Sequence, residues 1–166
     1  MPSADRAQAT RLTGRLPEIQ EERPDSPDAQ TLIDELERHL ASLYPSESRH
    51  GYNVEKLLRE GVAFFVVRDD GVPAGCGGVQ LYGTDYGELK RMYVRPQLRG
   101  RGLGKLVLDR LTEYARERGV GLLRLETGIY QKEAIGLYEA SGFRRVLPFG
   151  EYKEDPLSLF FEKSIA

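Results

Sequence analysis

The residues from Glu88 to Arg118, ELKRMYVRPQLRGRGLGKLVLDRLTEYARER, decide the fold. Glu88 to Arg95 is rich in β-forming residues and is closed by Pro96, which removes a ladder donor and biases Arg95 toward extended geometry. This part therefore reads as a strand. A glycine-rich turn follows, Arg99-Gly100-Arg101-Gly102-Leu103-Gly104. From there Leu103, Val107, Leu111 and Ala115 recur at a spacing of four, with Leu106 and Tyr114 flanking the same stripe, which predicts a helix with one buried face. Gly119 ends it, after Arg116 and Arg118 in a last turn where cations oppose the helix dipole.

A turn of this kind presents free backbone N–H groups, because the first four of a helix have no intrahelical acceptor. Its glycines leave no Cβ to hold a diphosphate away, and the helix N-terminus carries roughly half a positive charge. Arg99, Arg101 and Lys105 add full charges, so the dense basic run from Arg95 to Lys105 suits one diphosphate-bearing ligand. Two phosphate loops fit badly. A P-loop needs Gly four residues before Gly-Lys and Ser or Thr after it, where this chain has Arg99 and Leu106. A dinucleotide fingerprint starting at Gly100 wants Gly or Ala at Lys105, and an acidic residue ~20 positions on.

A third pattern fits. Arg99-x-x-Gly102-x-Gly104, after a strand ending Tyr-Val-x-Pro and opening a helix, resembles the acetyl-coenzyme A motif of the GNAT N-acetyltransferase superfamily. Ala134-Ile135-Gly136-Leu137-Tyr138-Glu139-Ala140-Ser141-Gly142-Phe143 is similar to its second cofactor segment, and the two follow the family's order across Phe64 to Phe143. The resemblance implies a single α/β (α+β) domain, with a mixed central sheet of about six to seven strands and helices on both faces. It implies acetyl-CoA as co-substrate, no metal, and direct attack of an amine on the thioester. Cofactor contacts would come from the strand backbone at Met92 and Val94, from Arg99, Gly100, Arg101, Gly102, Leu103, Gly104 and Lys105, and from Gln131, which stands where many members have Asn. Tyr138 resembles the general acid, although Ala134 and Leu137 share its helical face, so a core role is the competing reading. Glu88, eleven residues before Arg99, matches the offset of the base in the histone-modifying branch. Glu126 is the second choice, and a strand-end charge facing water is the alternative for both.

Around this centre, residues 1–14 are small and polar with scattered Arg and no apolar h-region, and are expected to be a disordered extension of a domain spanning 15–166. Leu16 to Glu22 reads as an edge strand with Ile19 inward. Ser26-Pro27-Asp28 starts a helix that stops at Tyr44, before Pro45, and Asn53 caps a short helix Val54 to Arg59. The loop between them, Tyr44 to Tyr52, covers the acceptor side in GNAT proteins; on its residues alone it is equally a solvated connection, and His50 has no recognisable partner. Val62 to Arg68 and Pro73 to Tyr82 are strands of a meander, Leu122 to Thr127 a strand, and Gln131 to Ser141 a helix. Phe143 to Val146 and Leu157 to Lys163 are last strands joined by a long loop.

The 166 residues carry 24 Lys and Arg against 26 Asp and Glu, a net charge of −2, which argues against nucleic acid as a partner. No long apolar run suggests a membrane span, and Cys76 is alone, so no disulfide framework exists and a buried filler role is expected for it. A cytoplasmic enzyme is the default. Its partners would be acetyl-CoA and an amine-bearing small molecule or peptide. Acceptor identity is open, as is oligomeric state, with a homodimer among the options. A non-catalytic acyl-CoA-binding or sensing module is the alternative function.

Overall fold

A computed structural model describes residues 15–166, so the expected N-terminal extension lies outside the described residues. Alternation builds the sheet. In β2 (Ala63–Asp69) Phe64 and Val66 turn to one face and Phe65 and Val67 to the other, and all four are buried, so this strand is covered on both sides. β1 (Glu18–Glu22) pairs along its outer edge, starting just past Pro17, with Ile19 packed inward. β3 (Val72–Tyr82) and β4 (Tyr86–Val94) continue the antiparallel meander. β5 (Leu122–Gly128) runs parallel to β4, and β7 (Ser158–Ser164) and β6 (Arg144–Val146) complete a seven-stranded mixed sheet in the order β1-β2-β3-β4-β5-β7-β6.

Helices cover both faces. α1 (Pro27–Leu43) is capped by Ser26, whose Oγ accepts the Ala29 N–H at 3.2 Å, and α2 (Val54–Arg59) by Asn53, whose Oδ1 accepts the Lys56 N–H at 2.8 Å. Leu32, Ile33, Leu36 and Leu57 from this pair pack on Phe64, Val66 and Cys76. On the other face lie α3 (Leu103–Glu117) and α4 (Lys132–Ala140), with Leu103, Val107 and Leu111 against Phe65, Val67, Val79 and Leu89. The α3 stripe differs from expectation at one edge: Leu106 is exposed, while Leu108 and Thr112 are buried. A spacing of four advances about 400°, so the stripe precesses by about 40° per step toward Leu108 and Thr112 and away from Leu106.

Two irregularities in β4 position the site. The β3–β4 register slips between Cys76 and Gly78, and Arg91 takes a positive φ of 56°, so Arg91 and Met92 together oppose Gly77 in a β-bulge. A Cβ on Gly77 would lie 2.5 Å from Met92 Sδ and 2.8 Å from Val107 Cγ1, so the bulge closes over glycine alone. Further, β4 pairs with β5 only at Gly87↔Leu123 and Glu88↔Arg124. Beyond Glu88 the two parallel strands part, and the opening between them faces the start of α3.

Candidate active site

The turn before α3 is bare toward this opening. Gly100 and Gly102 have φ of 81° and 78°, and a Cβ placed on either would meet nothing within 4 Å. The first α-helical bond of α3 runs from the Leu106 N–H to the Gly102 carbonyl at 3.1 Å, which leaves the N–H groups of Leu103, Gly104 and Lys105 without an intrahelical acceptor. Glycine faces and free donors at a helix N-terminus together form a cradle that fits a diphosphate. Val94 completes the wall. Because the Arg95 N–H bonds back to the Ala74 carbonyl at 2.8 Å, Val94 turns its own N–H and carbonyl to the open side. The carbonyl is occupied, accepting from Arg99 Nε at 3.1 Å, and the N–H is left for a ligand.

Met92, Val94, Arg99, Gly100, Gly102, Leu103, Gly104, Lys105 and Gln131 all line this groove. Arg101 does not, being ion-paired with Asp69 at 3.1 Å on the β2 side of the turn. The basic run expected to converge on one diphosphate is in fact divided. Arg95 forms a fork with Glu35 at 3.0 and 2.7 Å, Arg99 lies 3.4 Å from Glu133, and Lys105 pairs with Asp109 at 2.7 Å. Each cation has a carboxylate partner, so main-chain donors are what the groove chiefly offers a phosphate, with Arg99 and Lys105 at its rim.

Met92, Gln131, Ala134 and Tyr138 border this groove and also a second cavity behind it. Tyr138 is 4% exposed, with its ring edge-on to Phe143 at 5.6 Å. Burial first, and the charge of Glu126 second, push its phenol well above the usual range, so it keeps its proton at neutral pH. Gln131 is held by Tyr44, whose hydroxyl accepts the Tyr130 N–H at 2.9 Å and donates to Gln131 Oε1 at 3.5 Å. Tyr44 lies across Gly128, where any Cβ would strike its phenol.

The floor of the second cavity follows from strand parity. The pairs Gln80↔Glu88 and Tyr82↔Tyr86 put these side chains, with Lys90, on the α1 face of the sheet, while Val79 and Leu89 turn to the α3 core. Glu88 is 3% exposed, and its Oε2 accepts from the Tyr152 hydroxyl at 2.6 Å and pairs with Lys90 Nζ. Lys90 donates to the Tyr152 hydroxyl at 3.2 Å and sits 4.0 Å from the centroid of the Tyr52 ring. Both contacts to Glu88 fall on Oε2, which leaves Oε1. Glu126 lines the same cavity; its Oε2 accepts from Ser158 Oγ at 2.8 Å, and burial raises its pKa. Neither carboxyl is a strand-end charge facing water.

The loop from Tyr44 to Tyr52 forms the roof, through Ser48, Arg49, His50 and Gly51. His50 has a partner the sequence did not reveal: Nε2 lies 3.8 Å from Asp155 Oδ2, and the ring is edge-on to Tyr152 at 5.7 Å. Sequence reasoning also missed Lys90, Gln80 and Tyr152. Lys90 left a signal, a polar residue two positions after Glu88 in a β-rich strand, and Gln80 stood as a lone polar residue in an apolar one; Tyr152 left none. Cys76 is fully buried with its thiol pushed up to about 12 by desolvation, which removes it as a nucleophile. Among the described residues no His, Cys, Asp and Glu group could hold a metal ion, and no helix is long and apolar enough to cross a membrane.

Comparison with known proteins agrees with this geometry. The family model described as Acetyltransferase (GNAT) family matches residues 26–143. An IAA acetyltransferase of Azospirillum brasilense is 44% identical over 135 residues, covering 81% of this chain and 88% of the relative. The crystal structure of a candidate acyl-CoA N-acyltransferase from Klebsiella pneumoniae subsp. pneumoniae MGH 78578 is 34% identical, with a TM-score of 0.78 over 91% of this chain and 99% of that one. At 22% identity, the PaiA N-acetyltransferase of Thermoplasma acidophilum, solved in complex with coenzyme A, shares the fold with a TM-score of 0.69, over 90% of this chain and 99% of that one.

Proposed function

Given that the chain belongs to the GNAT family of acetyltransferases, acetyl-CoA-dependent enzymes acting on amines, we propose that residues 15–166 form the catalytic domain and that the acceptor amine, on a small molecule or peptide, binds in the chamber floored by Glu88 and Lys90. Acetyl-CoA supplies the acyl group as a thioester and carries the thiolate away. The observation that supports the reading is the shared wall: Met92, Gln131, Ala134 and Tyr138 border both the glycine-turn groove and the chamber, so an acyl group at that wall is reachable from both sides. The free N–H groups of Leu103, Gly104 and Lys105 hold the diphosphate, and the open edge of β4 at Met92 and Val94 binds the extended arm as an added strand would. A β4 N–H aimed at the thioester oxygen stabilises charge as it develops.

Glu88 Oε1 takes the amine proton, with Glu126 the second carboxyl of the chamber. Tyr138 serves the sulfur. Its phenol is held far above the thiol range of about 8.5, so full proton transfer to the thiolate is uphill, and the hydroxyl acts by hydrogen-bonding the sulfur as the bond breaks. A lone free thiol such as Cys76 stays reduced in the cytoplasm, where we place the protein. The test is CoA thiol release from acetyl-CoA by the purified protein, against a panel of amines. Release that depends on an amine is expected; acetyl-CoA binding without release for any amine would identify an acyl-CoA-binding module instead.

A further inference from the structure

The charges around the chamber do not balance evenly. Three of its acids are already engaged within the protein. Glu88 carries Lys90 and Tyr152 on Oε2, Glu126 accepts from Ser158, and Asp155 accepts the Leu157 N–H at 2.8 Å. Among the cations, Lys90 is spent on Glu88, and Arg91 lies 2.9 Å from Glu37 while donating to the Tyr52 carbonyl at 2.7 Å. Arg49 is different. It borders both the inner cavity beside Tyr138 and the outer one that runs to Tyr82. Its Nε is buried without a hydrogen-bond partner, and no carboxylate among the described residues forms an ion pair with it. A guanidinium desolvated on one edge and left without an anion is costly unless a ligand supplies one.

A second, independent feature lies beside Glu88, across the β3–β4 pairing. Gln80 is 8% exposed, and its Oε1 is buried without a partner in the outer cavity, which Tyr52 and Tyr82 also line. An unsatisfied buried acceptor at that place fits a ligand that enters past Arg49 and presents a donor to it.

We propose that Arg49 is the carboxylate-binding residue of the acceptor site, so that the acceptor is an amine that also carries a carboxylate, of amino-acid type. This rests on the chamber being the acceptor side of the transferase. The amine lies at Glu88, the carboxylate is forked by Arg49, which borders both cavities, and the remainder reaches Gln80 beside Glu88.

The test is calorimetric titration of the CoA-saturated full chain with the standard L-amino acids, each beside its α-amide. The best-binding acid should exceed its amide by at least roughly ten-fold, the weight of a charge-assisted bond. Arg49→Ala should erase that preference, and so should Arg49→Gln, which keeps the side-chain bulk; unchanged CoA affinity certifies the fold of either. Amides that bind as tightly as acids, a preference for polyamines, or no amino-acid binding up to millimolar concentration would overturn the assignment. Because the readout is binding, missing turnover would count against the transferase reading, whereas turnover confined to carboxylate-free amines would count against Arg49 alone.

Discussion

Replacing Tyr138 by Phe separates the two roles that meet at this residue. The ring keeps its burial and its edge-on contact with Phe143, so no apolar area is lost. Among the described residues the Tyr138 hydroxyl has no hydrogen-bonded partner, and its pKa is raised by desolvation and by Glu126 without any hydrogen-bond contribution. The substitution should therefore leave stability within about 1 kcal/mol of wild type. Turnover is another matter. Losing one preorganised donor to a developing anion costs about 10² to 10³ in kcat, or roughly 3 to 4 kcal/mol, with cofactor affinity little changed. The assay is kcat from thiol release at saturating acetyl-CoA, with the absence of a pre-steady-state burst establishing that chemistry limits the rate. The phenol must be protonated to donate, and burial raises its pKa, so wild-type kcat should show no alkaline loss from this group up to about pH 10. If Tyr138→Phe keeps more than about half of wild-type kcat with chemistry rate-limiting, the hydroxyl has no part in the transfer.

Gly102→Val puts a β-branched side chain at a φ of 78° and into the bare face of the turn; acetyl-CoA should bind at least ~100-fold more weakly, and a folded variant with wild-type affinity by calorimetry would move the diphosphate elsewhere. Burial raises the pKa of Glu126 above its unfolded value, so the stability tied to its protonation is present below the unfolded pKa and is lost as pH rises through the folded one. Glu126→Gln removes that loss, so its melting temperature should gain on wild type as pH rises above the usual carboxylate value of about 4.3, and a gap that does not change with pH would refute the burial argument.

Local chemistry made much of this fold legible. Ser26-Pro27 and Asn53 name their helix starts because a cap is a contact within four residues, and the glycine turn is legible because φ near 80° at Gly100 and Gly102 excludes most other residues. The direction of long side chains was not legible. Arg95, Arg99 and Arg101 lie close in sequence, yet their carboxylate partners Glu35, Glu133 and Asp69 come from α1, α4 and β2, so the charge cluster disperses only once those elements pack. Tyr152 was hidden for a similar reason. It belongs to the connection between β6 and β7 and reaches Glu88 only because β7 pairs beside β5.

The bulge at Arg91 was the least visible feature and has the widest effect. Strand side chains alternate, so a regular β4 would send Glu88, Lys90, Met92 and Val94 to one face. The register contradicts this: Lys90 pairs with Gly78 on the α1 face, but after the slip it is Tyr93 that faces α1, packed with Cys76, while Met92 and Val94 turn to the α3 core. Arg91 is the extra residue, joining Lys90 on the α1 side where it reaches Glu37. One inserted residue thus divides a nine-residue strand into a part facing α1, Glu88 and Lys90, and a part facing the glycine-turn groove, Met92 and Val94, the acceptor and cofactor halves of the proposed site. Gly77 permits the division, because a side chain there would collide with Met92, and the parting of β4 from β5 after Glu88 opens the edge on which the two halves meet. On the proposed reading, the order in which the strand visits the two sides puts the proton-accepting carboxylate within a few residues of the backbone that would hold the thioester.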